Sequence, residues 1–376
     1  KSGMTVKYRG NGSARQDKKP YKIKLQKETD LLLRGDAEKY ADSEWVLLAS
    51  ANSLNNVIGF AINDLLKLQW TPSYQYVNLV VNGTYRGVYL LCEGVNRNPR
   101  CRIDVADDGY LFELDAYWWN EDAYFKTQFC RPTVGYTFKY PDSDDITQEQ
   151  VNLISNVMTH VEDAIDEGNY ESCIDVNSFA AWLLGHDILG TSDGGGSNIY
   201  FTKYDASRET KVRMANLWDF DTICRCSNDW STVHYGIHAH FSRLCVSKNL
   251  AFNDQYRKKW LRLRHGLCGS VADILDGIVS SGLAQSLEKS WAREASASDG
   301  TYESFELLRQ RMEAWFSDRV EWIDAHIDKM PHNPDPSVTV TEIMADNGGS
   351  YTNADGNASD WIELYNAGAT DADISG

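Results

Sequence analysis

The sequence predicts an α+β protein, and three observations carry that prediction. The first part of the chain is a series of short runs in which apolar and polar residues alternate between turn signals. From Ile146 onward the apolar spacing lengthens to that of amphipathic helices. A proline-rich stretch, Met330–Ser337, then separates this body from a final segment that alternates again and carries no Lys or Arg. With 376 residues, 42% hydrophobic, and twelve Trp and twenty Tyr against eight Pro, the chain can bury a large core.

In chain order, "MTVKYRG" and "KPYKIKLQ" read as two strands joined by "GNGSARQDK", a loop of small, polar and basic residues. "SEWVLLAS" leads into a helix over "SLNNVIGFAINDLLKLQ", with Ser53 as its cap. "YVNLVVNGTYRGVYLLCE" is a hairpin, because Asn-Gly supplies the positive φ angles of a tight type I′ turn. "GYLFELDAYW" and "GYTFKYPD" add strands, and Thr147 with Gln150 makes a capping box for a helix through Asp166. "VNSFAAWLLGHDILG" is a more apolar, buried helix. "NIYFTK" and "NLWDFDTI" read as strands after it, and helices follow through "YRKKWLRLRHGL" and "FELLRQRMEAWFSDRVEWIDAHID".

Charge restricts the partners. The net charge is −17, yet residues 1–40 carry eleven Lys or Arg against five Asp or Glu. So acidic a surface repels nucleic acid and anionic lipid, while the basic first segment marks either a solvated face or a local anion site. No apolar run approaches the ~20 residues of a membrane span. The chain opens at Lys1, directly in a strand pattern, and is read as a mature or trimmed form. Eight cysteines are scattered without CxxC or zinc spacing, so no thiol is assigned a metal.

The chemistry concentrates in a few places. Lys22 and Lys24 in "YKIKL" share one strand face, with Tyr21, Ile23 and Leu25 on the other. Just upstream, Gly10, Asn11, Gly12 and Ser13 form a loop whose backbone N–H groups can approach phosphate oxygens. Asp193 and Asn198 stand in a D-x-x-x-x-N arrangement, followed by Asp219 and Asp221 in "WDFD". Phosphoryl transfer needs these types: a base near the nucleophile, a cation against the phosphates, and carboxylate or amide oxygens to hold that cation. Taken singly, Asp193 reads better as a turn residue and Asp219 as a strand-end acid. Their order after a strand lysine brings the phosphoryl-transfer reading level with those alternatives.

The stretches "KYRGNGSARQDKKPYKIKL", "WVLLASANSLNN", "LVVNGTYRGVYLLCEGV", "GYLFELD", "FKYPDSDDIT" and "LWDFD" resemble, in order, the CotH family of spore-coat protein H and its relatives. The resemblance implies an atypical two-lobed protein-kinase-like fold over residues 1–330, with a strand-rich N-lobe to about residue 105 and a mostly helical C-lobe beyond. Residues 331–337 are the linker, and "VTEIMADNGG…DWIELYN" within 338–376 resembles the opening of a lamin-tail β-sandwich. Implied by the resemblance are ATP with Mg²⁺ or Mn²⁺, an exported or cell-surface location, and transfer of phosphate to hydroxyl groups of an unidentified protein substrate. Lys24, and less closely Lys22, resemble the nucleotide-phosphate lysine; Asp193 the catalytic aspartate; Asn198 and Asp219, with Asp221 beside it, the metal-holding set. Glu93, at the end of "LLCE", matches a family acid near the hinge and the nucleotide.

The chain departs from the family where relatives often read LxRN and it has Leu54-Asn55-Asn56, and where His186-Asp187 replaces Asn-Glu. No helix glutamate is evident for the lysine; the helix offers Asp64. Two rival functions stand beside the kinase: a surface binding or adhesion module with a degenerate nucleotide site, and AMP transfer on the same fold. The run Tyr117-Trp118-Trp119 suits either carbohydrate contact or core packing.

Overall fold

The computed structural model describes residues 3–10, 12–49, 53–130, 132–191, 197–224, 238–297, 300–333, 338–349, 351–366, 371, 372 and 374. Two compact units divide the chain, Lys1–Pro331 and His332–Gly376.

In the first unit the early alternating runs pair as one antiparallel sheet. Its strands are β1 (Met4–Tyr8), β2 (Tyr21–Thr29), β3 (Asp42–Leu48), β4 (Tyr74–Val81) and β5 (Thr84–Glu93), in the order β1-β2-β3-β5-β4. Side-chain alternation gives this sheet two faces. Ile23, Leu25, Trp45, Leu47, Tyr89 and Leu91 meet Leu32 on one face in a small core of their own. Val46, Leu48, Val88, Leu90 and Cys92 point the other way, into the main core, with Leu54, Val57 and Ile58 of a helix. That helix is α2 (Ser53–Leu65), preceded by the single turn α1 (Ala37–Tyr40). Between β4 and β5, Asn82 (φ 51°) and Gly83 (φ 78°) both take the left-handed backbone that the tight turn demands.

A second antiparallel sheet lies in the half expected to be mostly helical. It runs β10-β9-β6-β8-β7, built from β6 (Tyr110–Asp115), β7 (Tyr124–Phe125), β8 (Gly135–Tyr140), β9 (Ile199–Lys203) and β10 (Val212–Met214). Around it stand α3 (Gln148–Glu167), α4 (Val176–Leu189), α5 (Ala239–Cys245), α6 (Ala251–Ser280), α7 (Leu283–Ala297) and α8 (Phe305–His326). Thr147 and Gln150 cap α3 reciprocally, as their spacing predicts. α4 is buried along almost its whole length, and Trp182 stacks on Phe241 at 4.6 Å. Tyr256 of α6 donates to the buried Asp187 carboxylate at 2.8 Å, and Arg319 of α8 to the Asp187 carbonyl at 2.7 Å. No single helix among the described residues is long and apolar enough to cross a membrane. The seven described cysteines are free thiols.

One expectation is corrected. "NLWDFD" is not a strand: β10 stops at Met214, and the chain leaves the sheet because the Leu217 N–H is taken at 2.7 Å by the Asn63 side chain of α2. Of the two readings left open for the run at 117–119, core packing does not hold for its outer members. Trp119 is 57% exposed and Tyr117 40% exposed, so only Trp118 turns inward, against Gly135.

The second unit holds β11 (Val338–Met344) and β12 (Trp361–Asn366), antiparallel with Val338 opposite Asn366 and Met344 opposite Trp361.

Candidate functional site

In the first unit, a cavity of about 280 Å³ opens between the first sheet and the segments that follow α4 and β10. Arg9, Gly10, Gly12, Ser13 and Pro20 line it from the loop joining β1 to β2, with Leu48 and Ala49 at the end of β3 and Asn56 in the first turn of α2. Facing them are Ser197, Asn198, Trp218, Asp219 and Asp221.

Local sequence explains the loop. Gly10 has φ +78°, and a Cβ there would overlap the Ser13 hydroxyl, so glycine lets the loop fold tightly on itself. Gly12 has no atom within 4 Å of its missing Cβ, which leaves its backbone open on that side. Arg9, in the residue before the glycine, lies 5.7 Å over the Trp218 ring. Among the described residues it is the cationic side chain that lines this cavity.

The acidic wall is held by an unusual backbone. Asn198 (φ 60°) and Asp219 (φ 66°) are both left-handed, a conformation that Asn and Asp tolerate better than other side chains. The Asn198 amide nitrogen donates to Asp219 Oδ2 at 3.1 Å, so its amide oxygen is the end left for another partner. The Asn198 backbone N–H donates to Glu113 Oε1 at 3.3 Å, and Glu113 pairs with Lys139 at 2.9 Å. Burial raises the Glu113 carboxyl above its usual range, with Lys139 pulling it back.

α2 sets the position of Asp219 from behind. Phe60 meets Phe220 edge-on at 5.7 Å and Trp218 at 6.1 Å, so both neighbours of Asp219 are packed on one helix residue. Gly59 lies against the Phe220 ring with no room for a Cβ. Asn63, which holds Leu217, also donates to Trp70 O at 2.8 Å and Thr71 Oγ1 at 2.7 Å. Further on, Thr222 and Thr191 share a hydroxyl bond of 2.7 Å, and Cys224 N donates to Leu189 O at 3.0 Å. The Asp219–Cys224 segment is thus tied both to α2 and to the end of α4.

Of the residues singled out in the sequence, Gly10, Gly12, Ser13, Asn198, Asp219 and Asp221 come together in this cavity. Asn11 and Asp193 lie outside the described residues. Lys22 and Lys24 do not line it: Lys22 pairs with Glu44 of β3 at 2.8 Å and Lys24 approaches the same carboxylate at 3.9 Å. They share the strand face of Pro20, and at ~3.3 Å per residue Lys22 stands ~7 Å and Lys24 ~13 Å along from it. Lys22 is therefore the nearer of the two to Pro20, whereas the resemblance gives the phosphate role first to Lys24. Glu93 is turned away. It sits opposite Trp45, fully buried, and accepts from Arg34 at 2.8 Å and from the Ser73 N–H at 2.9 Å, with Arg102 at 3.8 Å. Those partners, not a nucleotide, occupy its oxygens. Asp64 is a surface residue paired with Lys67 at 3.5 Å.

Arg9 and Asn63 were not singled out from the sequence, and Asn56 was named only as a departure from the family pattern. Arg9 sits inside the quoted "KYRGNGS", and its closeness to the glycines was the available signal. Asn63 offered none, since the partner that ties it to the site, Leu217, is 154 residues away.

The donor set suits a hard cation. Two carboxylates and an amide oxygen are ligands of the type Mg²⁺ or Mn²⁺ takes, with remaining positions left to water and phosphate. Among the described residues no group of three or more His, Cys, Asp or Glu forms a metal cluster, so any cation here would depend on Asn198 and on its anionic partner.

An α+β framework of two antiparallel sheets with surrounding helices, carrying a glycine loop and an arginine on one wall of a cavity and an Asn–Asp pair on the other, defines a candidate site for phosphate and a cation. The chain belongs to the CotH kinase protein family, whose model matches residues 6–329. No curated relative matches it. Among solved structures it is similar to HipA of Shewanella oneidensis MR-1, from a toxin–antitoxin complex with HipB and operator DNA, at 14% identity and a TM-score of 0.33. That match covers 82% of this chain and 65% of the other.

Proposed function

We propose that this protein is an ATP-dependent phosphotransferase that modifies hydroxyl groups of exported or surface proteins. The observation that carries the reading is the Asn198–Asp219 pair, 3.1 Å apart, facing Arg9, Gly10, Gly12 and Ser13 across one cavity. Asp219, Asn198 and Asp221 would hold Mg²⁺ or Mn²⁺, which when bound neutralises phosphate charge. Arg9 and the loop N–H groups bind phosphate oxygens, with Lys22 the nearer of the two strand lysines. An acceptor hydroxyl oxygen attacks the γ-phosphorus, the bond to the β-phosphate oxygen breaks, and the hydroxyl proton passes to a base, the role carried by Asp193.

The test is intact mass of the protein and candidate acceptors after incubation with ATP and either cation, beside Asp219→Ala. Phosphate added by the wild type and reduced by several orders of magnitude in the variant supports the reading. Addition of AMP instead would replace it with nucleotidyl transfer on the same fold. Wild-type turnover in Asp219→Ala would remove Asp219 from the site.

The exposed aromatic group of Tyr117, Trp119 and Tyr124 favours a second reading, surface binding by this module. Loss of adhesion in Trp119→Ala with unchanged adhesion in Asp219→Ala would support it. Residues 338–376, which hold the β11–β12 pair, are read as the opening of a lamin-tail-like sandwich on the resemblance of their sequence alone.

A further inference from the structure

We infer that a second and larger groove of the first unit binds an acidic stretch of polypeptide, the docking segment of the acceptor. Its role as acceptor dock rests on the phosphotransferase reading; its preference for acidic chains does not.

The groove, about 1000 Å³, runs between the strand ends of the first sheet and helices α7 and α8. Three chain segments line both it and the smaller cavity. Gly12–Ser13 continue into Gln16–Lys19, Asn56 adjoins Asn55, and Asp221 is followed by Ile223 and Cys224. The two hollows are therefore neighbours. β5 begins in the groove at Tyr85 and Arg86 and ends at Glu93, where the chain leaves for the second sheet. The groove thus lies at the end of the sheet away from that crossing, beside the loop assigned to phosphate.

Its charge is opposite to that of the molecule. In a chain of net charge −17, the lining carries five Lys or Arg against three Asp or Glu. Two ion pairs cancel within it, Lys18–Glu294 at 2.6 Å and Arg311–Glu303 at 2.9 Å. Lys19, Arg86 and Arg293 then face a single acid, Asp17. Arg293 lies 5.1 Å over the Tyr85 ring, which orients its guanidinium, and neither it nor Arg86 has an ion pair among the described residues. Clustered guanidinium groups of this kind read acidic motifs. Exposed Tyr8, Tyr85 and Tyr302 keep the groove open and give it aromatic surface. A long nucleic acid would meet the acidic remainder of the surface, whereas a short acidic peptide would not.

The experiment measures binding of a labelled peptide of alternating Glu and Ser to the full chain. A Lys-for-Glu counterpart, oligothymidylate and a fluorescent ATP analogue are run beside it. The expected result is binding of the acidic peptide alone among the polymers, weakened about tenfold or more in Arg86→Glu with Arg293→Glu and by added salt, with analogue affinity unchanged. Equal binding of acidic and basic peptides would overturn the inference. So would an unaffected double variant, or oligothymidylate bound as tightly as the peptide and lost on charge reversal. If the acidic peptide binds and the analogue does not, the groove stands and the phosphotransferase reading fails.

Discussion

Gly59 offers a sharp test, because it couples the packing of a helix to the geometry of the acidic wall. A Cβ added there would have its three nearest atoms, all in the Phe220 ring, well under 3.0 Å, where something must shift. Phe220 is 1% exposed and packed edge-on against Phe60, so it has little space into which to retreat. Overpacking of this kind costs about 1–3 kcal/mol, while exchanging a helical glycine for alanine returns about 1 kcal/mol of backbone entropy. Net destabilisation of Gly59→Ala is thus expected between about zero and 2 kcal/mol, small for a domain of this size. The site should suffer more. Phe220 lies between Asp219 and Asp221, and displacing it moves both carboxylates relative to Asn198. We expect Mg²⁺-dependent nucleotide affinity to fall by about tenfold or more, ~1.4 kcal/mol or above, measured by titration with a fluorescent ATP analogue beside denaturant unfolding. Phe220→Leu in the same chain should relieve the clash, so the two changes should be non-additive. Unchanged affinity in Gly59→Ala, or strict additivity with Phe220→Leu, would refute the coupling.

Other outcomes follow from particular contacts. Arg9→Gln should weaken nucleotide binding by roughly 10- to 150-fold, the worth of a charge-assisted contact of about 1.5–3 kcal/mol. Lys24→Ala should change it little and Lys22→Ala less than Arg9→Gln, in one titration series; a larger loss from Lys24 would reverse the assignment. Glu93→Gln should take one of two carboxylates from each of Arg34 and Arg102, which keep Asp30 at 3.1 Å and Asp42 at 3.5 Å, and cost about 1–3 kcal/mol of stability, while nucleotide affinity below the unfolding transition stays at the wild-type value. His186 gives a pH prediction. Burial lowers its imidazole to about 3 from 6.5, and neither ring nitrogen has a hydrogen-bond partner among the described residues. Between those values the unfolded chain binds a proton that the folded one does not, so stability falls as pH falls from 6.5 toward 3. His186→Phe, which can still stack on Trp182, should lose that part of the acid sensitivity, seen as a wild-type minus variant difference sloping by up to about 1.4 kcal/mol per pH unit; a flat difference would refute it.

The elements were legible because their causes are local. Asn82-Gly83 needs its positive φ wherever it occurs, Thr147 and Gln150 cap a helix through groups three residues apart, and Ile23 and Leu25 alternate with Lys22 and Lys24 by strand geometry alone. "NLWDFD" misled for the opposite reason. Its apolar residues are buried, as a strand's would be, but its backbone partner is Asn63, some 150 residues away in the chain. The aromatic run at 117–119 stayed open between two readings, since composition cannot tell a half-buried Trp118 from an exposed Trp119.

By itself the sequence determined an α+β body, a glycine loop beside basic residues, an Asn and an Asp suited to a cation, and the motifs that place the chain in its family. Tertiary structure decided which of these meet. It put Asn198 against Asp219 across 21 residues, brought Arg9 rather than Lys24 to the cavity, and spent Glu93 on two arginines. Residue type and local spacing specify what a side chain can do, whereas the partners that use up or leave open its hydrogen bonds and charge come from strand register and helix packing between residues far apart in the chain.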